Sequence, residues 1–357
     1  MTLIRPTAGV TDASGPARRP GVGRAVAVLV LVVLAVLIPL FGPSAALHGT
    51  GEAAAPGAGG VALLRAVLFA ALCVPLGELF VGRLARALPG AAPGVLGGHP
   101  PLPRSWAPYA AAAGFVAALG LASVVATGNL VPHGLSEIDV GGLYASRDGK
   151  LALLEVNAFL VAGLCARSDR PAVQAWPLAA VIVAEALRAH PTTEHSPLIG
   201  SGLTLVHLTC AALWVGGLLY VLRTLRRWGA MEPVSVESGP TGPGAAGPGG
   251  ALLGLYARVA AVLLAAITAT GVWSSLRRMP PGTVLGQLTD TAYGRTLLAK
   301  VLLVAVVAAL ALWARFRLRR APDPLAACVP ARAEVVALGL VVVVSGLLTA
   351  LPLPIHW

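Results

Sequence analysis

The chain has 357 residues, of which 57% are hydrophobic and only 11% are charged. A soluble globular domain has about 25% charged residues, so this chain has too few to cover a soluble surface of this size. The net charge of +11 does not indicate nucleic-acid binding, because most of the basic residues lie in short clusters between apolar runs. Basic clusters beside apolar segments are typical of membrane proteins and of contact with anionic lipid headgroups. Four cysteines are too few for a disulfide scaffold. These features predict an integral membrane protein in contact with membrane lipid.

Apolar runs of the length that a bilayer requires, about 20 residues, recur along the whole chain. They predict an all-α, polytopic transmembrane helical bundle of about nine helices. The fourth and fifth runs are interrupted by Glu155, Asn157 and Glu185 and are the weakest. The first run follows several arginines and could be cleaved as a signal peptide, although its polar leader is long for one. The nine runs lie near residues 25–41, 61–80, 107–127, 151–167, 172–189, 200–222, 252–273, 296–314 and 332–351.

The distribution of arginine predicts how the bundle is oriented. With the N-terminus in the cytoplasm, the inner segments hold most of the arginines, among them Arg18 and Arg19 at one end of the chain and Arg319 and Arg320 near the other. The positive-inside rule therefore places the N-terminus inside and the C-terminus outside, in a multi-pass protein of the cytoplasmic (plasma) membrane.

The same pattern divides the chain into successive segments. Residues 229–250 are rich in Gly and Pro and predict a flexible inner linker, whereas residues 128–150 predict an outer loop. The expected organisation is a cytoplasmic tail over 1–24, a three-span region over 25–127, the outer loop, spans four to six over 151–228, the linker, and spans seven to nine over 251–357.

The motifs that carry common enzymatic chemistry are absent from the sequence. There is no phosphate-binding P-loop, no Gly-x-Ser-x-Gly nucleophile turn, no Cys-x-x-Cys and no His-Glu-x-x-His. We therefore expect neither an enzyme nor an ATP-driven pump.

Histidines are the clearest chemical signal, because neutral imidazole is a common ligand of transition metals. Six of the seven histidines fall on the predicted outer side or in the outer part of a span. His190, Glu194 and His195 lie within six residues at a predicted helix end, where Pro191 interrupts the helix. With His133 and His356, they are candidate metal ligands at the outer face. The alternative is that these residues are ordinary solvated loop residues.

The sixth predicted span carries the most specific pattern. His207, Cys210 and Trp214 are spaced i, i+3 and i+7, so they share one face of a helix. A histidine at this depth is costly unless it faces a partner or a cavity. Gly216 and Gly217 would allow a second helix to approach closely. The pattern predicts an intramembrane metal site with His207 and Cys210 as ligands, or else a packing face with one hydrogen-bonded histidine.

Lys300 is a lone cation within the eighth predicted span. It could extend to the outer headgroups, or pair with Glu155, Glu185 or a substrate anion.

Two segments resemble the copper resistance protein D (CopD) family. His207 to Trp214-Val-Gly216-Gly217 resembles the family's His…Trp-x-Gly-Gly span, and Tyr293-Gly to Lys300 resembles its Thr-x-Tyr-Gly-x-x-Leu-x-x-Lys segment. The resemblance covers about residues 200–354. It implies a polytopic membrane protein linked to copper resistance or uptake, with His207, Trp214, Tyr293 and Lys300 at family-matching positions. It also implies a separate extracytoplasmic copper-binding (CopC-like) partner, because the sequence shows no such β-domain.

The expected function is to move copper ions across the membrane. The residues leave two alternatives open. One is a b-type haem electron-transfer protein, which would need paired histidines at matching depths. The other is a non-transporting assembly factor for a copper enzyme. The sparse methionines exclude a thioether relay for Cu(I) and leave the oxidation state of the copper open.

Overall fold

The computed structural model describes residues 21–53, 55–88, 101–128, 139–190, 196–229, 248–279, 282–320 and 324–352. Within these ranges the chain forms helices and no strand, which confirms the all-α class. The helices are α1 (Gly21–Leu47), α2 (Ala58–Arg86), α3 (Ala107–Thr127), α4 (Val140–Ala145), α5 (Arg147–Ala166), α6 (Ala175–Arg188), α7 (Pro197–Gly229), α8 (Pro248–Arg278), α9 (Val284–Asp290), α10 (Ala292–Arg320) and α11 (Pro324–Leu348).

Each of the nine predicted spans coincides with one of these helices. Seven helices in the described part of the chain are long and apolar enough to cross a bilayer, namely α1, α2, α3, α5, α7, α8 and α10. The apolar part of α11, Ala333–Leu348, is shorter, and α6 has only 14 residues. The multi-pass membrane class is therefore confirmed, whereas the count of nine spans and their orientation stay predictions.

Helix α2 lies at the centre of the bundle. It packs against α1, α3, α7 and α11. On one side it contributes to an apolar cluster with α7, α8, α10 and α11, and on the other to a cluster with α3, α5 and α6. The helix is rich in Ala and Gly, which lets several neighbours approach its backbone. Helix α2 thus joins the N-terminal helices to the C-terminal ones, and α1 also contacts α10 and α11 directly.

The contact between α2 and α7 depends on glycine. A Cβ atom added at Gly216 would lie 1.8 Å from the carbonyl oxygen of Cys73, and one added at Gly77 would lie 2.0 Å from the carbonyl carbon of Gly216. A side chain at Gly217 would meet the ring of Tyr256 on α8 at 2.8 Å. The predicted close approach at Gly216 and Gly217 is confirmed, and α2 and α8 are the helices that approach.

Local capping moves some helix ends away from the predicted positions. The Asp139 side chain accepts a hydrogen bond from the backbone N–H of Gly142 at the start of α4, within the predicted outer loop. Ser146 accepts one from Gly149 and starts α5 at Arg147, four residues before the apolar run. These caps satisfy backbone donors that hydropathy does not detect. Residues 129–138 of that loop and residues 230–247 of the predicted linker lie outside the described residues.

The bundle has two ends. At the end that we call the His48 end, Arg295 on α10 donates to the carbonyl of His48, and Arg277 on α8 donates to the carbonyl of Ser196 before α7. At the opposite end, which we call the Glu78 end, Arg223 on α7 donates to Glu78 on α2 at 3.0 Å. The arginine distribution predicts that the His48 end faces the outside.

Candidate functional site

A cavity of about 90 Å³ lies between α2, α7, α8, α10 and α11. Its lining is mostly aliphatic and aromatic, and the side chains with polar or sulfur atoms are Cys73, His207, Trp214, Lys300 and Ser345. Its volume is that of several water molecules. The cavity joins α2 and α7 to the helices that follow the predicted linker, so both halves of the chain build it.

His207 lies ten residues after the start of α7 at Pro197, about 15 Å along the helix axis. It lines the cavity and is partly buried. Its Nδ1 atom lies 3.0 Å from the hydroxyl oxygen of Thr270 on α8. The sequence predicted that this histidine faces a partner or a cavity, and the structure shows both, with Thr270 as the partner.

The three residues of the predicted α7 face have different surroundings. Trp214 lines the cavity together with His207 and is buried, and Tyr256 on α8 donates a hydrogen bond to its carbonyl at 2.6 Å. Cys210 packs against the apolar cluster around α7 and α8 and does not line the cavity. The sulfur atom at the cavity belongs to Cys73 on α2, which no spacing pattern in the sequence singles out.

Lys300 lies eight residues after the start of α10 and lines the same cavity as His207. The sequence suggested that Lys300 pairs with Glu155 or Glu185. In the structure these two carboxyl groups bind Arg188 and Arg65 instead. Tyr293, at the start of α10, is buried with 6% of its surface exposed and does not line the cavity.

The charged residues of the fourth and fifth spans form a separate buried cluster. Arg188 donates from Nη1 to both oxygens of Glu155 at 2.8 and 2.9 Å, and to Glu185 at 2.9 Å. Arg65 on α2 also binds Glu185. Glu155 has no exposed side-chain surface. Two carboxyl groups and two guanidinium groups meet in this cluster, which ties α5 and α6 to α2.

The histidines of the His48 end are not gathered into one site within the described residues. His48 is exposed. His190 is 2% exposed, and its Nε2 atom lies 3.0 Å from the hydroxyl of Thr204 on α7. A side chain at Gly200 would collide with its ring. His190 thus joins the end of α6 to α7 rather than facing solvent. The other candidate ligands, His133, Glu194, His195 and His356, lie outside the described residues.

The part of the chain that the structure describes contains no group of three or more His, Cys, Asp or Glu side chains placed to hold a metal ion. Sequence reasoning missed Thr270 and Ser345. Hydroxyl residues are frequent in membrane helices, where they bond to their own backbone, so neither position stands out.

Comparison with known proteins supports the resemblance for the C-terminal helices. Residues 250–349 match the family model "Copper resistance protein D". The match begins two residues into α8 and contains α9, α10 and all of α11, and it therefore includes Tyr293 and Lys300, whereas His207 lies outside it. Searches of the curated proteins and of the solved structures found no match to this chain. Residues 250–349, which we call the copper resistance protein D region, are thus similar to that family, and the chain that contains them is a multi-pass membrane protein.

Proposed function

We propose that this protein moves copper ions across the membrane, and that His207 is a copper ligand on their path. One observation carries the proposal. An intramembrane histidine lines a cavity whose other walls include Ile267, Lys300 and Ser345 of the copper resistance protein D region. Intramembrane ionisable residues are rare and typically mark the pathways of ions.

The chemistry of the cavity suits transient rather than permanent binding of copper. Imidazole nitrogen is a good copper ligand, and the thiol of Cys73 lies at the same cavity. Conduction requires binding that is favourable enough for entry and weak enough for release. A site with few ligands, and with the positive charge of Lys300 at the same cavity, binds copper weakly and allows it to leave.

We further propose that the outer face collects copper before it enters the bundle. The candidate collecting residues are His133, Glu194, His195 and His356, which the sequence places on the predicted outer side. A separate extracytoplasmic copper-binding protein of the CopC-like kind would deliver the ion. In the described residues His190 serves packing, so we expect it to support this region without binding copper itself.

Transport can be measured directly on purified protein in lipid vesicles that contain a copper-sensitive dye. We expect the wild-type protein to admit copper faster than protein-free vesicles, and His207→Leu to abolish the difference. His48→Leu is the matched control, because His48 is exposed and lies away from the cavity. It should transport at the wild-type rate.

Two results would replace the proposal. Absence of copper flux with retained copper binding would favour an assembly factor for a copper enzyme. A haem Soret band in the purified protein would favour the b-type electron-transfer alternative. Equal flux in the wild type and His207→Leu would remove His207 from the path.

A further inference from the structure

The hydroxyl of Thr270 has a defined hydrogen-bonding role. Its Oγ1 atom donates to the carbonyl of Ala266 at 2.7 Å and lies 3.1 Å from the carbonyl of Ile267. A hydroxyl has one proton to donate, and here the preceding turn of α8 takes it. With its proton in the 2.7 Å bond to Ala266, Oγ1 of Thr270 acts as an acceptor towards its other partners.

The other partner of this oxygen is His207, whose Nδ1 atom lies 3.0 Å away. With the Thr270 proton directed to the backbone of α8, Nδ1 carries the proton and donates it to Oγ1 of Thr270. In a neutral imidazole the second nitrogen, Nε2, then has a free lone pair. The ring also bonds to the backbone of Ile267, no side chain among the described residues bonds to Nε2, and His207 lines the cavity.

We propose that Thr270 is a positioning residue that fixes the tautomer of His207, so that Nε2 is the atom that binds copper. The inference rests on the proposed function, because it names the ligand atom of that same site. Metal-binding histidines typically donate their other ring N–H to an oxygen acceptor, which fixes both the tautomer and the ring orientation. Thr270 lies in the copper resistance protein D region, whereas His207 does not, so this bond joins that region to α7.

The first test reads the tautomer in copper-free protein. Nitrogen NMR of protein labelled at histidine distinguishes Nδ1–H from Nε2–H, and the signal of His207 is the one missing from His207→Leu. We expect Nδ1–H in the wild type and in Thr270→Ser, which keeps the hydroxyl, but a mixture of tautomers in Thr270→Val. An Nε2–H tautomer in the wild type, or no change in Thr270→Val, would overturn the inference whatever the protein transports.

The second test measures the affinity of the purified protein for copper. Loss of an outer-shell partner of a metal ligand typically weakens metal binding about 10- to 100-fold. We expect a loss of this size in Thr270→Val and recovery in Thr270→Ser. Thr296→Val is the matched control, since the Thr296 hydroxyl makes the same kind of bond to Ala292 at 2.9 Å but has no histidine partner in the described residues.

The variants separate failure of this inference from failure of the proposed function. If His207→Leu loses copper and Thr270→Val binds like the wild type, the positioning role is wrong and the copper site stands. If His207→Leu binds copper as well as the wild type, the site itself is wrong, and the ligand-atom assignment falls with it. A loss in Thr296→Val equal to that in Thr270→Val would also overturn the positioning role, because it would indicate a general effect on packing.

Discussion

Replacement of His207 by leucine separates a functional histidine from a structural one. Leucine has a similar bulk and removes the polar ring from an otherwise apolar wall of the cavity. The substitution leaves no donor without a partner, because the hydroxyl of Thr270 continues to donate to the carbonyl of Ala266 at 2.7 Å. The bonds lost are the one from His207 Nδ1 to Thr270 and the one between the imidazole and the backbone of Ile267.

The expected change in stability follows from these contacts. A typical intramolecular hydrogen bond contributes about 0.5–1.5 kcal/mol, and losing one partner costs more only where a buried group is stranded. The gain from placing leucine in an apolar, membrane-embedded environment is of similar size, about 0.3–0.6 kcal/mol on the insertion scale. We therefore expect the free energy of unfolding of His207→Leu to remain within about 1 kcal/mol of the wild type.

Both quantities can be measured on the same preparation. Denaturant unfolding in mixed micelles gives the stability, and copper flux into dye-loaded vesicles gives the activity per molecule. The expected outcome is nearly unchanged stability with lost copper flux. A loss of about 3 kcal/mol or more, with flux per folded molecule preserved, would show that His207 is a structural group and would refute the reasoning from Thr270.

Three other predictions test the fold. Gly216→Leu should prevent assembly of the bundle, because α2 occupies the position of any side chain there, whereas Gly202→Leu, which meets open space, should be tolerated; equal amounts of both in membranes would contradict this packing. Glu155→Ala should destabilise the protein by about 3 kcal/mol in denaturant unfolding, because it leaves buried Arg188 in a cluster with excess positive charge; stability equal to that of the wild type would show that the ion pair is dispensable. A reporter enzyme fused at Ser238 should lie on the cytoplasmic side of the membrane; a reporter found on the outer side would show that the predicted orientation is reversed.

The positions of the membrane helices could be predicted from the sequence, because backbone groups in a bilayer must be satisfied within each segment. Hydropathy therefore locates α7 and α8 well. It does not locate helix ends. Helix α5 begins before its apolar run because Ser146 caps it, and α10 continues to Arg320, beyond the apolar limit at residue 314. The start of α5 depends on a local hydrogen bond, to which hydropathy is insensitive.

Only the ionisable residues of the candidate site could be predicted from the sequence. His207 and Lys300 stand out because such residues are expensive in a bilayer, and the structure places both at one cavity. Cys73 and Thr270 belong to residue types that are common in membrane helices, and their roles depend on which helices meet. These helices meet because the glycines of α7 allow α2 to pack closely against it. The sequence of α7 alone does not indicate which helix packs there.

Intramembrane polarity alone does not distinguish function from structure in this chain. Glu155 and His207 are both costly residues within apolar runs. Glu155 has no exposed side-chain surface, and Arg188 donates to both of its carboxyl oxygens at 2.8 and 2.9 Å, so its polar atoms are satisfied by the fold itself. His207 has one nitrogen satisfied by Thr270, while no side chain among the described residues bonds to its other nitrogen, beside a cavity. The fold therefore compensates for the burial of Glu155 but only in part for the burial of His207. The second ring nitrogen of His207 is the atom at which we propose that a passing cation binds.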